Sequence, residues 1–413
     1  MRAFLAYESE SMDFEKIVYL DWAATTPLCE EAGEAMAPYL TGGIANLEFG
    51  GNANSLHSVG RSAFVAMEQA RADISGSLGC RADELFFTSG ATEADNAAIF
   101  GIVGAVKRAH ANAGDSGFVP HVITSSIEHE AVLAPVHLLE RMGAQVSILK
   151  PNPRGFIDPD QVAQALRPNT VLVSVMLANN EVGSIQPVAQ IARLAHEQGA
   201  YVHTDAVQAL AKIPVNVPEL GVDAASFSAH KICGPKGIGA LFLSKGTPCD
   251  PFMLGGGQES GFRSGTQNVA GMVGFAAAVK AVCPDAVVER ESRRLGALRD
   301  GLYSRLAKVE GVRASVPCGQ GSAEYLPNIV NLIVEGVESE TMILRLDRRG
   351  IMVSGGSACS SKSLAPNRIL TELGVRKDSA LCSLRISMGR FTSEQDIELF
   401  ERHFGEMVEW ARS

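Results

Sequence analysis

Val222-Asp223-Ala224-Ala225-Ser226-Phe227-Ser228-Ala229-His230-Lys231-Ile232-Cys233-Gly234-Pro235-Lys236-Gly237-Ile238-Gly239-Ala240 reads as a strand, a turn and the start of a second strand. The apolar run ends at Ser228, and His230-Lys231 follow almost at once. Gly234-Pro235-Lys236-Gly237 is a turn through which neither helix nor strand continues. A second apolar run covers Ile238 to Leu243. A lysine therefore stands at the mouth of a turn between two buried strands. Desolvation there lowers the pKa of an amine, and a neutral amine attacks aldehydes to form an imine. An ordinary solvated loop lysine is the plainer alternative, and the rest of the chain has to choose between them.

The surrounding sequence alternates strands with helices. Short apolar runs at Ile17–Asp21, Glu84–Thr88, His121–Ser125, Gln145–Leu149, Val171–Met176 and Tyr201–Asp205 read as strands. Amphipathic or apolar stretches at Cys29–Leu40, Val59–Gly79, Ala94–Ala109, Ala131–Met142 and Pro187–Gln198 read as helices. Polar groups collect where the strands end, which is where ligands bind in α/β folds. A long helical stretch from Val269 to Leu306 should break at Pro284. Beyond it, strands near Asn328–Val334, Ile351–Val353 and Leu384–Ser387 and helices near Glu340–Arg349 and Glu394–Trp410 predict a smaller α+β region.

The chain has 413 residues, 46% hydrophobic and 20% charged, with a net charge of −10. That composition predicts a soluble globular protein. The acidic balance argues against direct binding to nucleic acid. No apolar run reaches the ~20 residues of a membrane helix. Residues Met1 to Lys16 carry acids where a signal peptide has its apolar segment, so a cytoplasmic location is expected. The eight cysteines are scattered, with no C-x-x-C pair and no metal-site spacing. No metal site is expected, and reduced thiols are the default.

The strand-end residues form a set. Lys231 can make the imine. Asp205, ending a buried strand, can hold a protonated pyridine nitrogen by a charge-assisted bond. His129 can stack on an aromatic ring, and Asn180 and Gln208 can donate to a phenolate oxygen. Thr92, Ser228, His230 and the Gly90-Ala91 turn, which opens a helix, can hold a phosphate. Singly, each has a blander reading: Asp205 a helix cap, His129 a surface histidine, Gln208 a hydrogen bonder at the core edge. Together they describe a site for pyridoxal 5'-phosphate.

The motifs Phe87-Thr88-Ser89-Gly90-Ala91-Thr92-Glu93, Ala178-Asn179-Asn180-Glu181, His203-Thr204-Asp205-Ala206-Val207-Gln208, Ser228-Ala229-His230-Lys231, Arg263-Ser264-Gly265-Thr266, Gly356-Ser357-Ala358-Cys359-Ser360 and Leu384-Arg385-Ile386-Ser387-Met388-Gly389-Arg390 occur in that order. With them the chain resembles the cysteine desulfurases of the class V pyridoxal-phosphate-dependent aminotransferase family. The resemblance is to the long-loop type that serves iron–sulfur cluster assembly or tRNA thiolation, and it runs from Tyr19 to Thr392. It implies a fold-type I α/β enzyme: a large domain with a mostly parallel sheet flanked by helices, plus a smaller α+β domain. The expected division is an N-terminal segment, 1–31, packing with the small domain; a coenzyme domain, 32–275; and a C-terminal domain, 276–413, carrying the cysteine loop.

The resemblance also implies roles. Lys231 forms the imine with the coenzyme and moves protons, Asp205 pairs with the pyridine nitrogen, and His129 stacks on the ring. Asn180 and Gln208 lie on the phenolate side; Ala91, Thr92, Ser228 and His230 hold the phosphate. Thr266 reaches that phosphate from a second subunit, which implies a homodimer. Arg385 forks onto the substrate carboxylate, helped by Asn180 and Asn52. Cys359 takes sulfur from L-cysteine as a persulfide, releasing L-alanine, and passes it to an acceptor protein, a scaffold or sulfur carrier. Ala229 and Ser260 stand where the family usually has glycine and arginine. A selenocysteine lyase, a true aminotransferase without need of Cys359, and a non-catalytic partner on the same fold are the alternatives.

Overall fold

Ala224–Ser228 (β7) and Gly239–Leu243 (β8) are strands, and the connection between them reverses the chain. Ten residues are too few for a parallel crossover, so β8 returns antiparallel, with Ser228 opposite Gly239. The computed structural model describes residues 16–41, 43–317, 321–355 and 365–412. In it β2 (Leu85–Thr88), β3 (His121–Ser125), β4 (Gln145–Leu149), β5 (Thr170–Ser174) and β6 (Tyr201–Asp205) join β7 and β8 in a seven-stranded sheet of order β2-β8-β7-β6-β5-β3-β4. Pairs from β4 through to β7 are parallel; β8 alone runs against its neighbours. The C-terminal ends of six strands therefore open on one edge of the sheet.

Neighbouring residues of a strand face opposite sides, and the core divides accordingly. Ala225, Phe227, Val173 and Val202 pack with the helices Glu30–Leu40, Ser58–Leu78, Val188–Glu197 and Val269–Val282. Ala224, Leu172 and Leu241 pack with Ala91–Asn112 and Glu130–Arg141 on the other side. Phe87, Phe227 and Phe275 are wholly enclosed in the first cluster. Burying each contributes about 1.5–3 kcal/mol, against ~0–1 kcal/mol for an exposed ion pair, so the layers and not the surface charges hold the fold.

A second core surrounds a three-stranded antiparallel sheet of order β12-β10-β9, with β9 Val312–Ala314, β10 Ile329–Val334 and β12 Ser383–Ser387. Beside it β1 (Val18–Tyr19) pairs parallel with β11 (Ile351–Met352). The N-terminal segment serves both cores. Val18 and Leu20 belong to the second, whereas Trp22, Ala23 and Cys29 belong to the first. The Trp22 indole lies on Gly389, where a Cβ would come within 2.0 Å of the ring. Only glycine permits that approach, and it presses the two cores together.

The predicted helix of 269–306 is two helices, Val269–Val282 and Asp285–Leu306, bent by 68° at Pro284. The first stays in the sheet's core through Cys283, so the division expected after 275 falls inside a helix. Proline supplies the break because it cannot donate the helical hydrogen bond. Among the described residues no single helix is long and apolar enough to cross a membrane.

Candidate active site

The parallel strands set out their C-terminal residues in a row. Thr88 leads to the Gly90 turn and the helix Ala91–Asn112, Ser125 to His129, Ser174 to Asn180, Asp205 to Gln208, and Ser228 to His230 and Lys231. Arg385 approaches from β12 of the second sheet. A cavity of about 490 Å³ opens among them, lined by Ala91, Thr92, His129, Asn180, Asp205, Gln208, Ser228, His230, Lys231 and Arg385. These ten expected site residues thus share one cleft.

Lys231 Nζ donates to the carbonyls of Ala23 at 2.5 Å and Ala24 at 2.9 Å. Burial, reinforced by the charges of Arg385 and Lys212, pulls the amine down to about 8. Lys212, itself deprived of water, donates to the Lys231 carbonyl at 2.5 Å. Below pH 8 Lys231 is mostly protonated and cannot attack a carbonyl. Its capture of an added aldehyde should slow about tenfold per pH unit below that point and level off above it. Stopped-flow absorbance checks this; a rate still climbing through pH ~10, as for an ordinary lysine, would contradict it.

The Asp205 carboxylate accepts one hydrogen bond, from the Val207 amide at 3.0 Å, and no other among the described residues. Burial, together with the nearby Asp95, raises its carboxyl well above the usual range. A carboxylate so placed wants a cation. His129 caps the helix Glu130–Arg141, its Nδ1 accepting from the Ala131 amide at 3.1 Å. That bond leaves the ring proton on Nε2, and burial keeps the imidazole neutral. Arg368 donates to the Ser126 and Glu128 carbonyls and so holds the turn that presents His129. Gln208 Nε2 donates to the Ala23 carbonyl at 3.0 Å. His230 Nδ1 lies 3.1 Å from Thr25 Oγ1, and burial beside Lys231 takes the ring down to about 4.

The start of the helix Ala91–Asn112 has an acid in its first turn, Glu93. Unpaired, it would repel an anion from the helix amides. Arg263, 170 residues away, donates Nε to Glu93 at 2.8 Å and Nη2 at 3.2 Å. The helix end stays electropositive. On its other side β8 closes in: a Cβ at Gly239 would come within 2.7 Å of Gly90 Cα. Glycine at 239 lets the turn lie against the sheet, while a Cβ at Gly90 would meet no neighbour and glycine is favoured there instead by its positive φ of +156°.

Several residues that the sequence reading passed over belong here. Asp95 and Thr25 line the cleft, and Asp21 and Glu181 hold Arg385. Asp95 was within reach of helical spacing from Ala91 and Thr92; the Asp21–Arg385 pair spans 364 residues and leaves no local signal. Asn52 and Thr266 do not line this cleft. Asn52 is exposed, its Oδ1 accepting from the Asn54 amide at 2.9 Å, and Thr266 is also exposed. Cys359 lies outside the described residues.

Residues 18–400 match the family model described as aminotransferase class-V. The protein named cysteine desulfurase IscS from Dictyoglomus turgidum is 43% identical over 380 residues, 92% of this chain and 91% of that protein. Its namesake from Methanosarcina thermophila is 40% identical over 407 residues, 98% of this chain and 96% of the other. Among solved structures, a NifS-like protein superposes with a TM-score of 0.85 at 33% identity, covering 96% of this chain and all of that one. The structure titled SspA in complex with cysteine superposes with a TM-score of 0.75 at 32% identity, over 91% of this chain and all of its own. Such similarity across nearly the whole length, joined to a lysine-centred cleft at the strand ends, means that this chain belongs to the class-V aminotransferase family.

Proposed function

We propose that this protein is a cysteine desulfurase that uses pyridoxal 5'-phosphate to turn L-cysteine into L-alanine, handing the sulfur to Cys359 and then to an acceptor protein. One observation carries the reading: a desolvated lysine, a buried carboxylate without a cation and a buried arginine converge on one cleft. The residues fit the coenzyme. The spare oxygen of Asp205 suits a protonated pyridine nitrogen, and the neutral face of His129 suits an aromatic ring. The amides at Gly90–Thr92, with Ser228 and His230, suit a phosphate. When bound, the coenzyme withdraws electrons from the Cα of an amino acid.

The chain's own groups supply the rest. Lys231 would hold the coenzyme through its aldehyde and, once released, carry the Cα proton of the substrate. Its pKa near 8 suits an amine that must both take and give a proton near neutrality. Arg385, with Asn180 beside it, would seat the substrate carboxylate. The thiolate of Cys359 would attack the substrate sulfur. An S–S bond forms as the Cβ–S bond breaks, and Cβ takes a proton on the way to alanine. The names of the relatives support the substrate, and the family supports the coenzyme.

We further propose a homodimer in which Thr266 completes the phosphate site of a second copy. Thr266 is exposed away from its own cleft, close in sequence to the exposed apolar run Phe252, Met253 and Leu254.

Purified protein supplied with the coenzyme, L-cysteine and a reductant should release sulfide and alanine in equal amounts. Keto acid without sulfide, or no product, would refute desulfuration. The Cys359→Ser variant should bind the coenzyme as the parent does but release no sulfide. Undiminished sulfide from that variant would remove Cys359 from the mechanism.

A further inference from the structure

Arg385 lies in the middle of β12 and is 2% exposed, and four of the five hydrogens of its guanidinium can be followed. Nη1 donates to the Asn180 carbonyl at 3.1 Å and to Glu181 Oε1 at 3.1 Å, which spends both of its hydrogens. Nη2 donates to Asp21 Oδ1 at 2.9 Å. Nε is buried and has no partner. A guanidinium grips a carboxylate through two parallel N–H groups. With Nη1 occupied, the edge left for an incoming carboxylate is Nε with Nη2, and Asp21 already holds one of the two hydrogens of Nη2.

The two acids that hold Arg385 are not alike. Glu181 is fully buried and receives Asn180 Nδ2 at 3.1 Å and Asn367 Nδ2 at 3.5 Å as well as the arginine. It is a fixed part of the wall. The Asp21 side chain is 21% exposed, stands just past the two-residue strand β1, and has Arg385 as its one side-chain partner among the described residues. A turn about a single side-chain bond would free it into water.

We propose that Asp21 is a specificity-determining positioning residue, a resident carboxylate that occupies the substrate-carboxylate edge of Arg385 and is displaced when the substrate arrives. The inference rests on the reading of Arg385 as the seat of the substrate carboxylate. Before substrate binds, Asp21 keeps the guanidinium oriented and partnered. A ligand must bring its own carboxylate to replace it, so amines or thiols without one gain nothing from Arg385. The cost is competition: Asp21 weakens the affinity for every carboxylate ligand, because displacing it breaks an existing charge-assisted bond.

The test is calorimetric titration of the coenzyme-loaded enzyme with 3-mercaptopropionate, which carries the thiol and carboxylate of the substrate without its amine. The uncharged 3-mercaptopropionamide is the control. In Asp21→Asn the dissociation constant for the acid should fall about three- to tenfold, because a neutral amide yields the edge more readily. That for the amide should not move. Asp21→Ala should also tighten the acid, and KM for L-cysteine should fall in both variants without a matching rise in kcat. Weaker or unchanged binding of the acid in both variants overturns the proposal, since Asp21 would then merely brace Arg385. Arg385→Lys separates the two readings. If it leaves the affinity for the acid unchanged, the seat itself is misassigned; if it weakens the acid while Asp21→Asn does not tighten it, only the role of Asp21 falls.

Discussion

Lys231→Ala should yield a folded, colourless protein whose turnover of L-cysteine is reduced by about a thousandfold or more, since one amine both captures the coenzyme and moves the proton. The fold should survive. The Ala23 carbonyl keeps the Gln208 amide as a donor, so the loss of Nζ strands only the Ala24 carbonyl, at about 1 kcal/mol. Lys231→Arg is the sharper variant. It retains a positive charge in the cleft but cannot deprotonate near neutrality. Equal loss of activity in both variants locates the effect in the neutral amine rather than in the charge. Substantial sulfide release from Lys231→Arg would leave the mechanism without its base. Spectrophotometry of the loaded proteins, with sulfide and alanine assays, reads both outcomes.

The second large effect is on stability. Arg71, on the helix Ser58–Leu78, is 7% exposed and binds Glu259 through two bonds of 2.7 Å. Glu259 Oε2 also accepts the Phe87 amide at 2.8 Å, and Arg71 Nη1 reaches the Leu85 carbonyl at 2.7 Å. The pair ties the Glu259 segment to β2, directly before the Gly90 turn. Its importance shows in the backbone: Glu259 and Ser260 both hold left-handed φ values, +49° and +56°, which non-glycine residues rarely adopt. Glu259→Ala should leave a strand amide without a partner and a buried guanidinium with only the Leu85 carbonyl and the exposed Glu68 carboxylate, 3.1 Å from Nε, to hold it, lowering stability by about 3 kcal/mol. Urea denaturation measures this. Replacing both partners, as Arg71→Met with Glu259→Leu, should recover much of the loss, because the penalty belongs to the stranded charge and not to the missing attraction. A single variant as stable as the parent would show that water reaches Arg71. The neighbouring departure from the family pattern, Ser260 for arginine, leaves this pair in place.

Much of the architecture followed from local patterns. The strands at His121–Ser125, Gln145–Leu149 and Tyr201–Asp205 begin and end where alternation and flanking polar residues put them. Pro284 broke the helix as its chemistry requires. The strand Val312–Ala314 and the helices Pro159–Ala165, Arg368–Glu372 and Lys377–Ala380 escaped notice because three to seven residues are too few to display a period.

The candidate site divides along the same line. The order of the strands' last residues is local, and from it alone Lys231, Asp205, His129, Asn180, Gln208 and Thr92 could be gathered, because parallel strands deliver their C-terminal ends to one edge. Which charges meet is a matter of distance in space. Glu93 looks like any acid at a helix start until Arg263 is seen beside it, and Arg385 looks like a free fork until Asp21 and Glu181 are seen to hold it. Asn52, grouped with the substrate residues by motif, stays exposed outside the cleft of its own chain. Residue types and their periodicity are inherited along the chain, so the elements and the edge where they end could be read there. The acids that hold Arg263, Arg71 and Arg385 come from segments 170 to 364 residues away, and only tertiary packing brings them within hydrogen-bonding reach.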